Sequence, residues 1–223
     1  MQLLSVNIGQ PRTQQNGRKL ETTGIYKLPA QEPTQVKELG IAGDFIGSQK
    51  DHGGPDQAVY IYGEPDYEWW SKELGKQLEP GTFGDNLTLS DFESARYSIG
   101  DRLHIGSVIL EFTAPRIPCS TLATRMGDPM FVKRYRYAER PGMYCRVIQE
   151  GTLEAGDTAR LEPYSGETIM ALDLFRDHYQ DQKDEETLRR ILRAPIAIRT
   201  RADVEADLQK LLSRSLGKSS YAL

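Results

Sequence analysis

The sequence predicts a mainly β protein, a barrel or sandwich with a few peripheral helices, followed by a small three-helix region. Three observations carry this. Up to residue 163, short apolar and β-branched runs recur at irregular spacing between glycine- and proline-bearing turns, and helical periodicity is sparse. From Thr168 onward, apolar residues fall at three- and four-residue spacing on a strongly charged background. A chain of 223 residues, 38% hydrophobic and 27% charged, can bury a sizeable core, and it has no run of membrane-spanning length. The division expected is a β domain over 1–163 and a helical domain over 164–223.

Net charge is −4 and the pI is near 5.5, so no global basic field draws nucleic acid or anionic lipid. Neither is expected as a partner. The two cysteines, Cys119 and Cys145, make no disulfide framework, and the N-terminus carries no basic or long apolar leader. A cytoplasmic setting is the expectation.

Gln2–Ile8 is short and apolar and predicts a buried opening strand. Gln10–Arg18 is polar, with proline and glycine, and predicts a loop. Ile25 and Tyr26 belong to a second expected strand, and Pro33 marks a turn. Between Gly43 and Tyr60, His52 is followed by Gly53 and Gly54, a loop whose backbone can approach a ligand closely. Lys50 and His52 can both donate to an anion. A tight turn before the strand Ala58–Tyr62 accounts for the same residues equally well. Pro65 and Asp66 then open a helix with Tyr67, Trp70 and Leu74 on one stripe, ended by Gly75. Pro80–Leu87 is a second glycine-bearing loop, in which Asn86 is a candidate hydrogen-bonding residue. Ile99–Phe112 alternates about Gly106 as a hairpin does, and places His104 on a strand.

The strand Val108–Phe112 runs into Pro115-Arg-Ile-Pro-Cys, which sets Cys119 directly after Pro118 in a stiff exit from the sheet. Arg116 supplies a fixed positive charge that can depress the thiol pKa or bind an anion. The plain alternative is a buried loop cysteine. A short helix through Met126 follows, and Asp128-Pro129 predicts the start of another, with Phe131, Tyr135 and Ala138 on one stripe. From Arg125 to Arg146 six basic residues face two acids, a solvated face with room for an anionic cofactor or a redox partner. Met143–Gln149 is a strand that buries Cys145, and Gly156–Leu161 ends the β region. In the tail, Leu172, Phe175 and Tyr179 form one stripe. Asp184 opens a second helix stopped by Pro195, and Thr200 with Asp203 caps a third. These helices must pack on one another and on the β domain or a second subunit, which leaves a homodimer open.

The stretches Asp44-Phe-Ile-Gly, His52-Gly-Gly-Pro-Asp-Gln-Ala-Val-Tyr, Pro80-Gly-Thr-Phe-Gly-Asp-Asn-Leu, Ile99-Gly-Asp-Arg-Leu, Pro115-Arg-Ile-Pro-Cys and Pro141-Gly-Met-Tyr-Cys-Arg-Val occur in an order that resembles the MOSC family, in its YiiM-like branch. The resemblance spans almost the whole chain, three-helix tail included. It implies a MOSC-type β-barrel that binds the molybdenum cofactor, a pyranopterin (molybdopterin), with Cys119 on the metal. It also implies reduction of small N-hydroxylated compounds, such as N-hydroxylated purine bases, to amines. Cys119 and His52 are then the catalytic candidates, with His52 a proton donor or a contact to the cofactor phosphate. Lys50, His52, Gly53, Gly54, Asn86, Arg116 and Cys119 are the cofactor-binding candidates. Asp85 stands where the pattern calls for Glu. Two cysteines cannot hold a four-thiolate cluster and no flavin or nicotinamide motif is visible, so a separate electron-donor protein is expected. The rival readings are a sulfurtransferase carrying a persulfide on Cys119, and a non-enzymatic binder of an anionic ligand.

Overall fold

Residues 1–219 are described by the computed structural model; the last four residues of the expected helical tail lie outside them. The opening strand, Leu3–Gly9 (β1), buries Leu3 and Val6. The segment expected to be a loop forms a hairpin instead, Arg12–Asn16 (β2) with Lys19–Thr23 (β3), turned at Gly17. This hairpin buries no apolar residue, so hydrophobic periodicity could not reveal it. Hydrogen bonds from Gln14 and Asn16 to Glu21 hold it instead. The strand expected around Ile25 and Tyr26 is Lys27–Pro29 (β4) and leaves out Ile25, which packs into an aromatic cluster.

Thr34–Lys37 (β5), Gly40–Ile41 (β6) and the one-turn helix Gln49–His52 (α1) precede Val59–Gly63 (β7). Then come Glu64–Leu74 (α2), closed by Gly75 in the left-handed region, and Leu87–Leu89 (β8). Arg102–Ile105 (β9) and Val108–Pro115 (β10) make the hairpin about Gly106. Ser120–Met126 (α3) and Phe131–Ala138 (α4) lead to Met143–Gln149 (β11), Gly151–Leu153 (β12) and Ala159–Glu162 (β13). The helix α4 starts later than the Asp128-Pro129 pair suggested, because Asp128 spends its side chain on the Met130 N–H in a preceding turn.

Eight strands form one mixed sheet in the order β13-β9-β10-β11-β7-β8-β1-β4, with β7 and β8 parallel. The sheet curls enough for backbone bonds to join β1 to the turn before β13, although among the described residues no ladder pairs its edge strands β13 and β4. The Leu3 N–H donates to the Asp157 carbonyl at 2.8 Å, and the Gly156 N–H to the Leu3 carbonyl at 2.7 Å.

The tail consists of Ala171–Asp177 (α5), Glu185–Arg193 (α6) and Ile198–Ser219 (α7). Thr200 lies inside α7 and does not cap it. The cap comes from a distant loop, through a 2.6 Å bond from the Ile198 N–H to Asp56 Oδ2. The apolar stripes of these helices (Leu174, Leu188, Ile191, Val204) join Leu110, Phe112, Met143 and Cys145 of the sheet in one core. A second, aromatic core of Tyr60, Tyr62, Trp70, Phe83, Phe131 and Tyr135 lies between the sheet, α2 and α4. It backs the cavity described next.

Candidate active site

Strand β10 ends at Pro115, and the chain then delivers Arg116 into the interior and Cys119 to the N-cap position of α3. Both line a cavity of about 340 Å³. Its other walls come from β3 and the Gly24–Lys27 segment, from Asp44–Ser48, and from His52, Tyr60, Gly84, Asn86 and Tyr144. Glycines allow these segments to converge. A Cβ on Gly24 would lie 1.7 Å from the Phe45 carbonyl oxygen. Gly84, at φ +75, would set one 2.9 Å from Ile25 and 3.3 Å from the Arg116 guanidinium.

Cys119 is half-buried, and burial raises its pKa. A hydrogen bond from His52, the charge of Arg116 and the Leu122 N–H outweigh that burial and bring the thiol down to about 6. It is therefore a thiolate at neutral pH. The His52 Nδ1 sits 3.4 Å from the Tyr144 hydroxyl, and the same imidazole lies close enough to Cys119 to favour its thiolate. Arg116 is buried, spans the Tyr60 ring at 4.8 Å and donates to the Phe83 carbonyl at 2.5 Å. Burial works against its charge, yet the surrounding Tyr144, Tyr60 and Cys119 raise its pKa. Its Nε is buried and, among the described residues, has no hydrogen-bond partner. A buried donor left open costs about 1–3 kcal/mol, so it marks a position where a ligand acceptor is favoured.

The cavity wall also holds a buried ion pair, Lys27 with Asp44. Burial lowers the Lys27 pKa against the pull of Asp44. Asn86 donates to Asp44 Oδ2 at 2.9 Å and accepts from the Tyr60 N–H at 3.1 Å, so it ties β7 to this pair while lining the cavity.

Four of the residues singled out in the sequence, His52, Asn86, Arg116 and Cys119, thus line one cavity. Lys50, Gly53 and Gly54 are not in its lining. Lys50 is exposed and two positions from His52 on a helical turn, a spacing that puts side chains on different faces. Gly54, at φ +95, makes the turn out of α1. Asp85 is off the cavity, fully buried and hydrogen-bonded by Tyr67 (2.6 Å) and Thr88 (2.7 Å). Burial raises its pKa. Cys145 has no exposed surface, and burial pushes its thiol well up. His104 pairs with Glu162 at 2.6 Å on β13. Sequence reasoning missed Lys27, Tyr60, Tyr144 and Glu21 as lining residues. Lys27 carried the one readable signal, a charged residue at the start of a short strand.

The chain is similar to known proteins in sequence and in fold. Residues 48–160 match the MOSC domain family. The chain is 32% identical over 191 residues to the uncharacterized protein YflK of Bacillus subtilis, covering 85% of this chain and 86% of that one. It is 32% identical over 168 residues to a protein of Gibberella moniliformis named Reductase, covering 73% of this chain and 30% of the fungal protein. The crystal structure of YiiM from Geobacillus stearothermophilus superposes with a TM-score of 0.77 at 25% identity, covering 93% of this chain and 98% of that one. With a family match over half of the chain and relatives and a solved structure that cover most of its length, the chain belongs to the MOSC domain family, in its YiiM-like branch.

Proposed function

We propose that the protein is a molybdenum-cofactor-dependent reductase of N-hydroxylated compounds. The observation that carries this is the convergence of Cys119, His52 and the buried, partly unpartnered Arg116 on one cavity of about 340 Å³. Among the described residues no three His, Cys, Asp or Glu side chains gather to hold a bare ion. A single soft thiolate therefore suits a metal that arrives with its own organic ligand. The residues fit such a group. Cys119 would bind the metal, and Arg116 Nε would meet an anionic or acceptor atom of the cofactor. Asn86 and the glycine-walled segments would leave room for a flat ring.

The net reaction is R–NHOH + 2 e⁻ + 2 H⁺ → R–NH₂ + H₂O. When bound, the cofactor would supply the two-electron couple that cleavage of the N–O bond requires. The protein contributes the rest. His52 and Arg116 together favour the ionised sulfur, and His52, within 3.4 Å of the Tyr144 hydroxyl on the cavity wall, is placed to pass a proton into the cavity. The two electrons come from a separate donor protein. The relative named Reductase supports the reaction class.

The test is metal and pterin analysis of protein made in a cell that produces the cofactor, followed by an assay with an N-hydroxylated base and an artificial donor. Stoichiometric molybdenum that is lost in Cys119→Ser, together with amine formation, is the expected result. A persulfide on metal-free Cys119, with no bound molybdenum, would replace this reading with sulfur transfer.

A further inference from the structure

One wall of the cavity has no part in the chemistry above. Glu21, on β3, lines it beside Thr121, which follows Cys119 by two positions. Glu21 Oε1 accepts from Gln14 Nε2 at 2.6 Å, Thr121 Oγ1 at 2.8 Å and Asn16 Nδ2 at 3.2 Å. Among the described residues, Oε2 accepts from Asn16 Nδ2 alone, at 3.2 Å. A carboxylate oxygen offers about two lone-pair sites, so Oε1 is filled and Oε2 keeps one open. The donors are themselves fixed. Gln14 Oε1 accepts from the Tyr26 hydroxyl at 3.0 Å, which turns its amide nitrogen toward Glu21, and Asn16 also donates to Ser120 Oγ at 2.9 Å. The carboxylate is thus oriented before any ligand enters.

Its charge has no ion-pair partner among the described residues, and of the cation-forming groups His52, on the same cavity, favours it electrostatically. Two carboxylates line the cavity, and Asp44 is neutralised by Lys27. Glu21 has no lysine or arginine partner among the described residues. Burial raises its pKa, but the bonds from Gln14, Asn16 and Thr121 lower it further than burial raises it, so the group is ionised at neutral pH.

We propose that Glu21 is the substrate-selecting residue, its open Oε2 accepting a hydrogen bond from an N–H of an amidine-type N-hydroxylated compound. An amidoxime or an amino-substituted N-heterocycle presents that donor. A hydroxamic acid presents a carbonyl oxygen at the same place, and two acceptors face each other at a cost. This inference rests on the reductase reading for the reaction, though not for the binding. A residue that merely pinned the hairpin to α3 would treat both substrate classes alike.

The experiment compares cofactor-loaded parent, Glu21→Gln and Glu21→Asp on benzamidoxime and benzhydroxamic acid, which differ by an amino group in place of a carbonyl. Calorimetry measures binding of benzamidine, which has the same N–H edge and no N–O bond. Glu21→Gln should raise KM for benzamidoxime and Kd for benzamidine about tenfold or more, with kcat changed by less than about twofold, and KM for benzhydroxamic acid should stay level or fall, because the new amide can donate to its carbonyl. Glu21→Asp, which keeps the charge and serves if the first variant folds poorly, should keep the parent's preference for the amidoxime. Equal losses on both substrates, an unchanged benzamidine Kd in Glu21→Gln, or no benzamidine binding by the parent would each overturn the proposal. A parent that binds benzamidine through Glu21 but reduces neither substrate would sink the reductase reading and leave this one standing.

Discussion

Arg199, in the first turn of α7, donates through Nη1 to the Asp51 carbonyl at 2.8 Å. The same side chain reaches Gln57 Oε1 at 3.1 Å and the Lys50 carbonyl. Both carbonyls belong to α1, the single turn that ends in His52. The imidazole beside Cys119 is therefore held in place from the tail.

Arg199→Ala should release that turn and shift the pH midpoint for alkylation of Cys119 upward, because the His52 hydrogen bond is one of the effects that lower the thiol. Arg199 is exposed, so screening limits its worth to overall stability, and the thermal midpoint should hardly move. Arg199→Lys should recover part of the effect. An unmoved alkylation midpoint in Arg199→Ala would show that α1 holds His52 unaided.

Cys119 itself should titrate near pH 6 in iodoacetamide rate profiles, with Cys145 unreactive until the protein unfolds. The stability linkage follows in sign. A thiol whose pKa falls from about 9 in the unfolded chain to about 6 when folded adds stability that is complete above pH 9 and lost as pH drops through 6. Over that window the unfolding free energy of the parent should rise with pH more than that of Cys119→Ser. Parallel curves would contradict the lowered thiol.

Asp85→Ala should destabilise the fold by about 1–3 kcal/mol in denaturant titrations, since it strands the buried donors of Tyr67 and Thr88. Alkylation of Cys119 in the folded fraction should stay as in the parent. A large change in Cys119 reactivity with little loss of stability would mean that Asp85 acts on the cavity after all.

Removing residues after Tyr164 should leave an insoluble or molten β region. The reason is that Leu174, Leu188, Ile191 and Val204 complete the core that Phe112 and Met143 begin. Sharp, dispersed amide resonances from a soluble 1–164 fragment would refute this.

Much of the sheet was legible because its strands bury apolar runs: β1, β7, the β9–β10 hairpin and β11 stand out by burial alone. The β2–β3 hairpin was not, because side-chain hydrogen bonds hold it and no apolar residue marks it. The start of α7 escaped for a related reason: its capping carboxylate, Asp56, is far away in sequence. In the site, Arg116 and Cys119 were readable from one proline-braced stretch, and His52 and Asn86 from glycine-bearing loops. Tyr60 and Tyr144 were not. Each lies on a strand whose pattern says buried without saying what it is buried against.

The polar hairpin has a consequence for how this architecture can change over time. The segment from Arg12 to Thr23 walls the cavity yet contributes nothing apolar to either core. New side chains can be tried there without the packing penalties that constrain β7 or β10. The scaffold and its thiolate can stay as they are while that hairpin drifts, so related chains can diverge in appetite and keep the same chemistry.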